Sequence, residues 1–330
     1  MMKFTGIFLI VINLLLVAGC QTVSRDINSS TDSEITTDRE KIVLQDASGT
    51  EVTLDKSPEK IICLHLSCVD ILAELDLRPA GITEGLYDLS SSPVYFGEEA
   101  KDIAPISGRG EPNIEQLLLI KPDLIIGHAA QYTSQQETLE KIAPLYVTEV
   151  YTITDAIDNL KAVAKLMGKT EQAEVSIQNF QNKLADYQNR SPKNLTVLLT
   201  NGTEGNFYVA TDQSLVGSIL AQVANYPWRL SGQIPSALNW VMLSQEEILT
   251  LDPDVIFILT PSANPNRLEQ LQQDAFWKEL KAVKNEQVYE LEDVNVGGLT
   301  TGTRALTAFL DEIMPKLYPD VFGELSQQSN

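Results

Sequence analysis

Short apolar runs alternate with amphipathic segments along most of the chain. The runs Lys60–Leu64 and Pro79–Thr83 are typical of buried parallel strands. Between them, Ser67 followed three residues later by Asp70 indicates a capping box that opens a helix over Val69–Leu75. This strand–helix–strand order predicts an α/β fold with right-handed crossovers.

One segment of the chain occurs twice. Residues 113–126 (NIEQLLLIKPDLII) correspond to residues 244–257 (SQEEILTLDPDVIF) at a constant offset of 131 positions. In each copy, a residue typical of a helix N-cap precedes a short helix, and Pro-Asp then leads into an apolar strand. Two copies separated by about the length of one domain predict two structurally related lobes.

A helical pattern fills the chain between the two copies. A first helical segment ends at Gly168, and a second is predicted from about Thr170 to Arg190, where Ser191-Pro192 ends it. The apolar seam of this second helix consists of Ala173, Ile177, Phe180, Leu184 and Tyr187. At 1.5 Å per residue the helix would be roughly 30 Å long. We expect a stiff connection that permits only small movements of the lobes.

The amino terminus has a different pattern. Lys3 precedes an apolar stretch from Ile7 to Val17, which is too short for an ordinary membrane span, and small residues then lead into Cys20. This arrangement resembles a bacterial lipoprotein signal, in which Cys20 becomes the lipidated first residue; a plain secretory signal is the alternative. The polar residues 20–40 predict a flexible tether. The mature protein is therefore expected to be lipid-anchored to a membrane and to face the periplasm or the cell exterior.

Together these patterns predict an α/β protein with two Rossmann-like lobes, each with a central sheet, joined by a single long α-helix. The predicted domains are a signal peptide (1–19), a tether (20–40), a first lobe (41–168), a connecting helix (169–190) and a second lobe (191–330).

The net charge is strongly negative, at −21 for the whole chain. Without residues 1–19, 23 basic residues face 45 acidic ones, a net charge of −22. A field of this sign argues against nucleic acid or anionic lipid as a partner. An anionic ligand would need locally placed arginine.

Residues with redox or metal-ligating chemistry are few. Cys63 and Cys68 could form a local disulfide or remain buried thiols, and the sequence leaves both open. The two histidines, His65 and His128, each follow a predicted strand of the first lobe. With Tyr132 they could ligate haem iron or a bare metal, but loop histidines near a cleft are the favoured interpretation.

The signal pattern, the repeat and the connecting helix together resemble the helical-backbone (class III) periplasmic solute-binding proteins of ABC importers, and among them the ferric-siderophore-binding lipoproteins. The resemblance extends from about Lys41 to Pro319, and its specific parts are Pro58–Ile62, Pro112–Glu115 with Lys121–Asp123, and Gly217–Leu220. It implies a ligand cleft between the lobes and delivery of the ligand to a permease dimer in a membrane. We expect a monomer that carries no resident cofactor or metal, because the iron arrives within the ligand.

The resemblance also implies residue roles. Glu115 and Glu246 match surface glutamates that engage arginines of a permease; the alternative is that they only complement the helix dipole. Arg109 and Tyr132 match residues that bond iron-coordinating oxygens in hydroxamate-siderophore binders. A guanidinium can meet the residual negative charge of a ferric chelate from outside the coordination shell. A solvated arginine and a surface tyrosine are the alternative.

Further ligand-binding candidates are Trp240, Tyr208, Arg304 and His65. Aromatic residues often line large-ligand clefts, although they more often fill cores. Trp240, just before the second repeated helix, is favoured over Tyr208 and Trp228, which are predicted to lie in loops. Arg304 follows a glycine-rich segment and either brings positive charge to the cleft or covers the last helix.

The favoured function is capture of a ferric siderophore, of hydroxamate type, for iron uptake. A haem- or cobalamin-binding protein of the same class is the alternative, followed by an exported α/β enzyme and by a ligand sensor that does not transport. The sequence contains no Gly-x-Ser-x-Gly, His-Glu-x-x-His or Walker-type motif, so no catalytic residue is assigned.

Overall fold

The computed structural model describes residues 41–108, 110–201, 207–229, 240–260, 267–298 and 302–323. The predicted signal peptide, Cys20 and the tether lie outside these residues. The strands are β1 (Ile42–Gln45), β2 (Glu51–Leu54), β3 (Ile61–Cys63), β4 (Gly81–Thr83), β5 (Ala104–Ile106), β6 (Leu124–His128), β7 (Leu145–Thr148), β8 (Val197–Thr200), β9 (Phe207–Ala210), β10 (Trp240–Leu243), β11 (Val255–Thr260) and β12 (Val288–Glu292). The helices are α1 (Leu66–Glu74), α2 (Tyr87–Ser90), α3 (Ile114–Ile120), α4 (Ala129–Tyr132), α5 (Gln136–Leu139), α6 (Ile153–Leu166), α7 (Thr170–Arg190), α8 (Leu215–Val223), α9 (Gln245–Leu251), α10 (Arg267–Gln272), α11 (Lys281–Lys284), α12 (Thr303–Leu317) and α13 (Pro319–Phe322).

Each lobe is built on its own five-stranded sheet. The first has the order β5-β4-β3-β6-β7 with every pair parallel. The second has the order β10-β9-β8-β11-β12; β8, β11 and β12 are parallel, whereas β9 is antiparallel to both of its neighbours. Together with α7 between the lobes, these parallel-dominated sheets confirm the predicted α/β fold class.

The repeated segment forms equivalent units, α3–β6 and α9–β11. The predicted N-caps are confirmed: the Asn113 side chain accepts a hydrogen bond from the backbone N–H of Gln116, and Ser244 accepts one from Glu247. Each helix ends in a left-handed residue, Lys121 with φ of 55° and Asp252 with φ of 40°. The short helices therefore begin and end in the same way in both lobes.

The aspartate of each Pro-Asp pair fixes the entry of the central strand. The Asp123 carboxylate accepts hydrogen bonds from the backbone N–H groups of Glu59 and Lys60, both at 2.9 Å. In the second lobe, the Asp254 carboxylate accepts one from the Thr196 N–H at 2.8 Å. The repeat thus joins two neighbouring strands of each sheet through one carboxylate.

The connecting helix α7 packs along its length. The predicted apolar seam is buried, and the helix lies against α6 and α12. Two side chains of α7 also bond to Asp311 of α12: the Tyr187 hydroxyl donates to its carboxylate at 2.7 Å, and Lys183 pairs with the same carboxylate. The main apolar core is continuous from the first lobe through α7 and α12 into the second. These contacts support the stiff connection expected from the sequence.

Helix α1 begins earlier than predicted. His65, rather than Ser67, is its N-cap, and its side chain accepts from the Ser67 N–H. Asp70 does not complete a capping box there. Its buried carboxylate accepts from the backbone N–H groups of Arg304, at 3.3 Å, and Ala305, at 2.9 Å. Asp70 therefore caps α12, which begins more than 200 residues later in the chain, and local sequence spacing does not reveal this contact.

None of the helices in the described residues combines the length and the apolar character that crossing a membrane requires.

Candidate ligand-binding site and docking surfaces

A cavity of about 500 Å³ opens where β3, β4, β5 and β6 end. Ligands of α/β sheets usually bind at this carboxyl edge, in pockets of about 300–1,000 Å³. His65, Thr83 and Gln131 line the cavity with polar groups, and Gly108 and Gly110 bring a glycine loop to it. The sequence therefore folds so that four strand ends converge on one site.

The described lining of this cavity belongs to the first lobe alone. In the second lobe, the central strand β11 is followed by residues 261–266, which lie outside the described residues. The cleft between the two lobes therefore stays a prediction.

His65 is held as a neutral hydrogen-bond donor. Its Nδ1 accepts from the Ser67 backbone N–H at 3.2 Å and lies 2.9 Å from the Ser67 hydroxyl, which in turn lies 2.8 Å from that of Thr148. Because a backbone amide can only donate, Nδ1 carries no proton and the neutral ring carries it on Nε2. Burial, and then the neighbouring His128, lower the pKa of His65 from 6.5 to about 3. The ring thus offers an Nε2–H that bonds to no residue in the described part of the chain.

His128 forms a pair with His65 at the end of β6. The two ring centroids are 4.6 Å apart. Burial lowers the pKa of His128, and the charge of Glu149 opposes this only in part. Within the described ranges, no group of three or more His, Cys, Asp or Glu residues is arranged to hold a metal ion. The pair therefore contributes two neutral imidazoles to this edge of the sheet.

A disulfide encloses the loop that carries His65. Cys63 at the end of β3 is bonded to Cys68 in the first turn of α1, with a Cα–Cα distance of 5.4 Å. Both residues are fully buried. Of the two alternatives that the sequence leaves open, the structure has the disulfide, and it fixes the turn that presents the imidazole.

Arg109 itself lies outside the described residues, but its two neighbours, Gly108 and Gly110, are described. Gly108 has φ of 111°, and a Cβ atom there would lie 2.0 Å from the Glu111 carbonyl oxygen, so only glycine fits. Gly110, with φ of 85°, accepts a hydrogen bond on its carbonyl from the Gln135 side-chain amide at 2.9 Å. Both glycines line the cavity, and a contact of Arg109 with a ligand there stays a prediction.

Tyr132 is a core residue at the cavity wall rather than a surface residue. It is 1 % exposed, and its hydroxyl donates to the Leu64 carbonyl at 3.3 Å. The ring packs so closely on Gly127 that a Cβ there would lie 2.6 Å from it. Burial raises the pKa of the Tyr132 hydroxyl. Tyr132 is therefore not the surface tyrosine of the alternative interpretation; its hydroxyl donates within the protein, and its contact with a ligand stays a prediction.

The aromatic candidates of the second lobe differ in how far their side chains are exposed. Trp240 is the first residue of β10 and is half-buried against the main core. Tyr208 lies on β9, not in the predicted loop, and is 41 % exposed opposite Met242. Trp228 is buried, and its indole N–H donates to the Val197 carbonyl. Trp228 is therefore a core residue, whereas Trp240 and Tyr208 keep an accessible face.

The Arg304 guanidinium bonds to other groups of the protein. Its guanidinium donates to the Val94 carbonyl and, at 3.4 Å, to the Ala73 carbonyl, and it lies 3.7 Å from the Glu74 carboxylate. All three partners precede α3 in the chain, and neither they nor Arg304 are among the described residues that line the His65 cavity. These contacts favour the alternative in which Arg304 covers the last helix, and its contact with a ligand stays an untested prediction.

Glu115 and Glu246 are both exposed near the start of their helices. Neither makes an ion pair with a residue that the structure describes. Glu247 differs, because its carboxylate accepts from the Ser244 N–H at 2.8 Å and closes a capping box. A groove of about 570 Å³ adjoins Glu246 and is lined in part by Met242. The repeat thus leaves one matching carboxylate on each lobe available to a partner.

Residues 61–294 match the family model described as "Periplasmic binding protein". The chain is 27 % identical over 311 residues to the Fe(3+)-citrate-binding protein YfmC of Bacillus subtilis, covering 92 % of this chain and 93 % of YfmC. It is 27 % identical over 253 residues to the Fe(3+) dicitrate-binding periplasmic protein FecB of Escherichia coli, covering 74 % and 80 %. The crystal structure of petrobactin-binding protein YclQ from Bacillus subtilis has the same fold, with a TM-score of 0.71, 21 % identity and coverage of 84 % and 99 %. The chain therefore belongs to the periplasmic binding protein family, whose members are binding proteins rather than enzymes.

Proposed function

We propose that the protein is the substrate-binding lipoprotein of an ABC importer and captures a ferric chelate for iron uptake. The observation that carries the proposal is the cavity at the carboxyl edge of the first sheet, which is lined by Gly108 and Gly110, the two neighbours of Arg109 in the sequence. The relatives named for ferric citrate, which match most of the chain, support the same class of ligand.

A preformed ferric chelate needs hydrogen-bond donors rather than metal ligands from its receptor. Its oxygen atoms already bind the iron and keep residual negative charge. The guanidinium of Arg109 would supply a charged hydrogen-bond donor, and the neutral His65, which lines the cavity, supplies an Nε2–H donor. Thr83 and Gln131 add neutral polar groups. This donor set fits oxygen-rich chelates as a class.

Within that class, ferric citrate is the first candidate and a ferric hydroxamate the second. The preference for a hydroxamate rests on Arg109 and Tyr132 together, but the Tyr132 hydroxyl donates to Leu64. Arg109 suits carboxylate oxygens as well as hydroxamate oxygens, since a guanidinium binds a carboxylate in bidentate fashion. Two relatives named for ferric citrate favour the carboxylate.

Delivery to the membrane is the second half of the proposal. Glu115 and Glu246 would each meet a cationic group on one subunit of a permease dimer, so that two related lobes match a two-fold partner. Their matching positions in the repeat and their exposure support this role. Lipidation at Cys20 would hold the protein at the membrane surface, facing the periplasm or the cell exterior.

Native mass spectrometry of residues 21–330 tests the ligand class directly. The probes are ferric citrate, ferric desferrioxamine as the hydroxamate, a ferric catecholate, haem and cobalamin. We expect a one-to-one complex with ferric citrate or the hydroxamate and none with iron-free citrate. Binding of haem or cobalamin alone, or of no probe, would contradict the proposal.

Arg109→Gln should weaken binding of the ferric chelate about ten-fold or more, because a hydrogen bond to a charged group contributes roughly 1.5–3 kcal/mol. Arg78→Gln is the matched control: Arg78 is an exposed arginine that pairs with Glu99 at 3.3 Å and does not line the cavity. Equal loss in both variants would show an effect of overall charge rather than of the site.

A further inference from the structure

Exposed large apolar side chains concentrate on the two repeated helices. Among the described residues, Leu118 and Leu119 on α3 are 53 % and 81 % exposed, and Leu249 and Leu251 on α9 are 40 % and 41 % exposed. Each of these helices has seven residues, whereas the 21-residue α7 carries a single such side chain, Val175. Isolated exposed apolar residues are ordinary, but a concentration on two short matching helices indicates an interaction surface.

Alignment of the two copies shows which exposed side chains occur in both helices and which occur in only one. Leu118 corresponds to Leu249, whereas Leu119 corresponds to Thr250. Three residues before each shared leucine stands a glutamate, Glu115 or Glu246. Side chains three positions apart lie on the same face of a helix. Each lobe therefore presents one carboxylate and one leucine side by side.

This shared face is not needed to attach the helices to their lobes. Leu117 and Ile248, which also correspond in the repeat, are fully buried and make that contact. Leu118 and Leu249 remain outside it, beside carboxylates that pair with no cation in the described ranges. The repeat thus retains a second apolar position that the fold itself does not use.

We propose that the two acid–leucine pairs, Glu115 with Leu118 and Glu246 with Leu249, form a duplicated docking surface for the permease dimer. Each permease subunit would offer a cationic side chain next to an apolar hollow that receives the leucine. This inference rests on the proposed function and adds to it a contact that is not electrostatic. Two matching pairs on two lobes suit a partner with two copies, because a partner without a repeat would match only one of them.

The two components of each pair would act differently. Exposed charges guide association and set orientation, but salt screens them. Apolar burial is little affected by salt and mainly slows dissociation. The leucines would therefore keep the complex together after the glutamates have aligned it.

The test compares Leu118→Ser/Leu249→Ser with Val175→Ser in the full-length lipoprotein. Val175 is 62 % exposed on α7 and is the matched control for loss of an exposed apolar side chain. Uptake of radiolabelled ferric citrate is measured in cells whose own copy is deleted, and affinity for ferric citrate is measured on the purified chains. We expect uptake to fall about ten-fold or more in the double variant, with affinity changed less than about two-fold, and no change in Val175→Ser.

A photo-crosslinking residue at position 118, 249 or 175 provides a readout that does not depend on the ligand. We expect crosslinks to an ABC permease subunit from positions 118 and 249 and none from position 175. Wild-type uptake by the double leucine variant, or equal crosslinking at position 175, would overturn the docking surface. A wild-type chain that binds no ferric chelate but crosslinks to a permease at 118 and 249 would contradict the proposed ligand and support the docking surface.

Discussion

The two lobes are alike in their repeated unit and different around it. Both have a short capped helix, a left-handed end, a Pro-Asp turn and a buried central strand. The first sheet is wholly parallel, and its carboxyl edge holds the His65 cavity, whereas the second sheet ends in the antiparallel strands β9 and β10 with Trp240 and Tyr208. The duplicated features are those proposed to meet a two-fold permease. The features that differ are those proposed to meet an asymmetric ligand.

Loss of the repeated carboxylates should have the largest effect. Glu115→Gln/Glu246→Gln removes both proposed charge contacts, and removal of one partner of an interfacial charge pair costs about 2 kcal/mol or more. We expect uptake of ferric citrate to fall about 30-fold or more, with binding of the chelate unchanged. Glu174→Gln, at an exposed acid of α7, is the control. Parallel loss of chelate affinity would refute the docking role.

The disulfide offers a second test of the difference between the lobes. It closes a six-residue loop of the first lobe, and this loop carries His65, which lines the cavity. Cys63→Ala/Cys68→Ala should lower the free energy of unfolding by about 2 kcal/mol, the entropy expected for so short a closed loop. Urea unfolding measures this. Chelate affinity should fall as well, since the loop presents His65. An unchanged affinity would show that the cavity does not need the disulfide.

The matching aspartates should behave alike. Asp123→Ala and Asp254→Ala each leave backbone N–H groups of a neighbouring strand without an acceptor, at a cost of about 1–2 kcal/mol each in urea unfolding. The N–H groups of Glu59 and Lys60 lower the pKa of Asp123. Its contribution is therefore present above its unfolded pKa and lost as pH falls through the folded value. A large effect in one lobe only would break the equivalence of the two units.

His65 should give the smallest effect, visible as a pH dependence. Its pKa is about 3 in the folded protein against 6.5 when unfolded, so its contribution to stability is complete above pH 6.5 and lost as pH falls towards 3. The slope is at most about 1.4 kcal/mol per pH unit. His65→Gln should reduce the loss of stability between about pH 6.5 and pH 5.5 by roughly 1 kcal/mol. An unaltered pH profile would show that His65 is not held neutral.

The features set by periodicity and local spacing are predictable from the sequence. Gly168 and Ser191-Pro192 predict the bounds of α7, its apolar period predicts the buried seam, and the matching N-caps and Pro-Asp turns predict both repeated units. These signals are local, because helix period, capping and turn chemistry depend on residues close in the chain.

The features that the sequence does not predict depend on contacts between distant segments. Asp70 caps α12 more than 200 residues away, Arg304 bonds to first-lobe carbonyls, and the Tyr132 hydroxyl donates to Leu64 across the sheet. His65 is an N-cap that no spacing rule anticipates, since Ser67 is the more usual capping residue. Sequence spacing places these residues near the correct element but does not show which polar group each one meets.

Anomalous diffraction at the iron edge, from crystals of the chain with ferric citrate, is the most direct test of the account. We predict a single iron peak in the cavity at the carboxyl edge of the first sheet, beside His65, Gly108 and Gly110. A peak in the second-lobe groove beside Trp228 and Met242, or no peak in crystals that contain saturating ferric citrate, would contradict it.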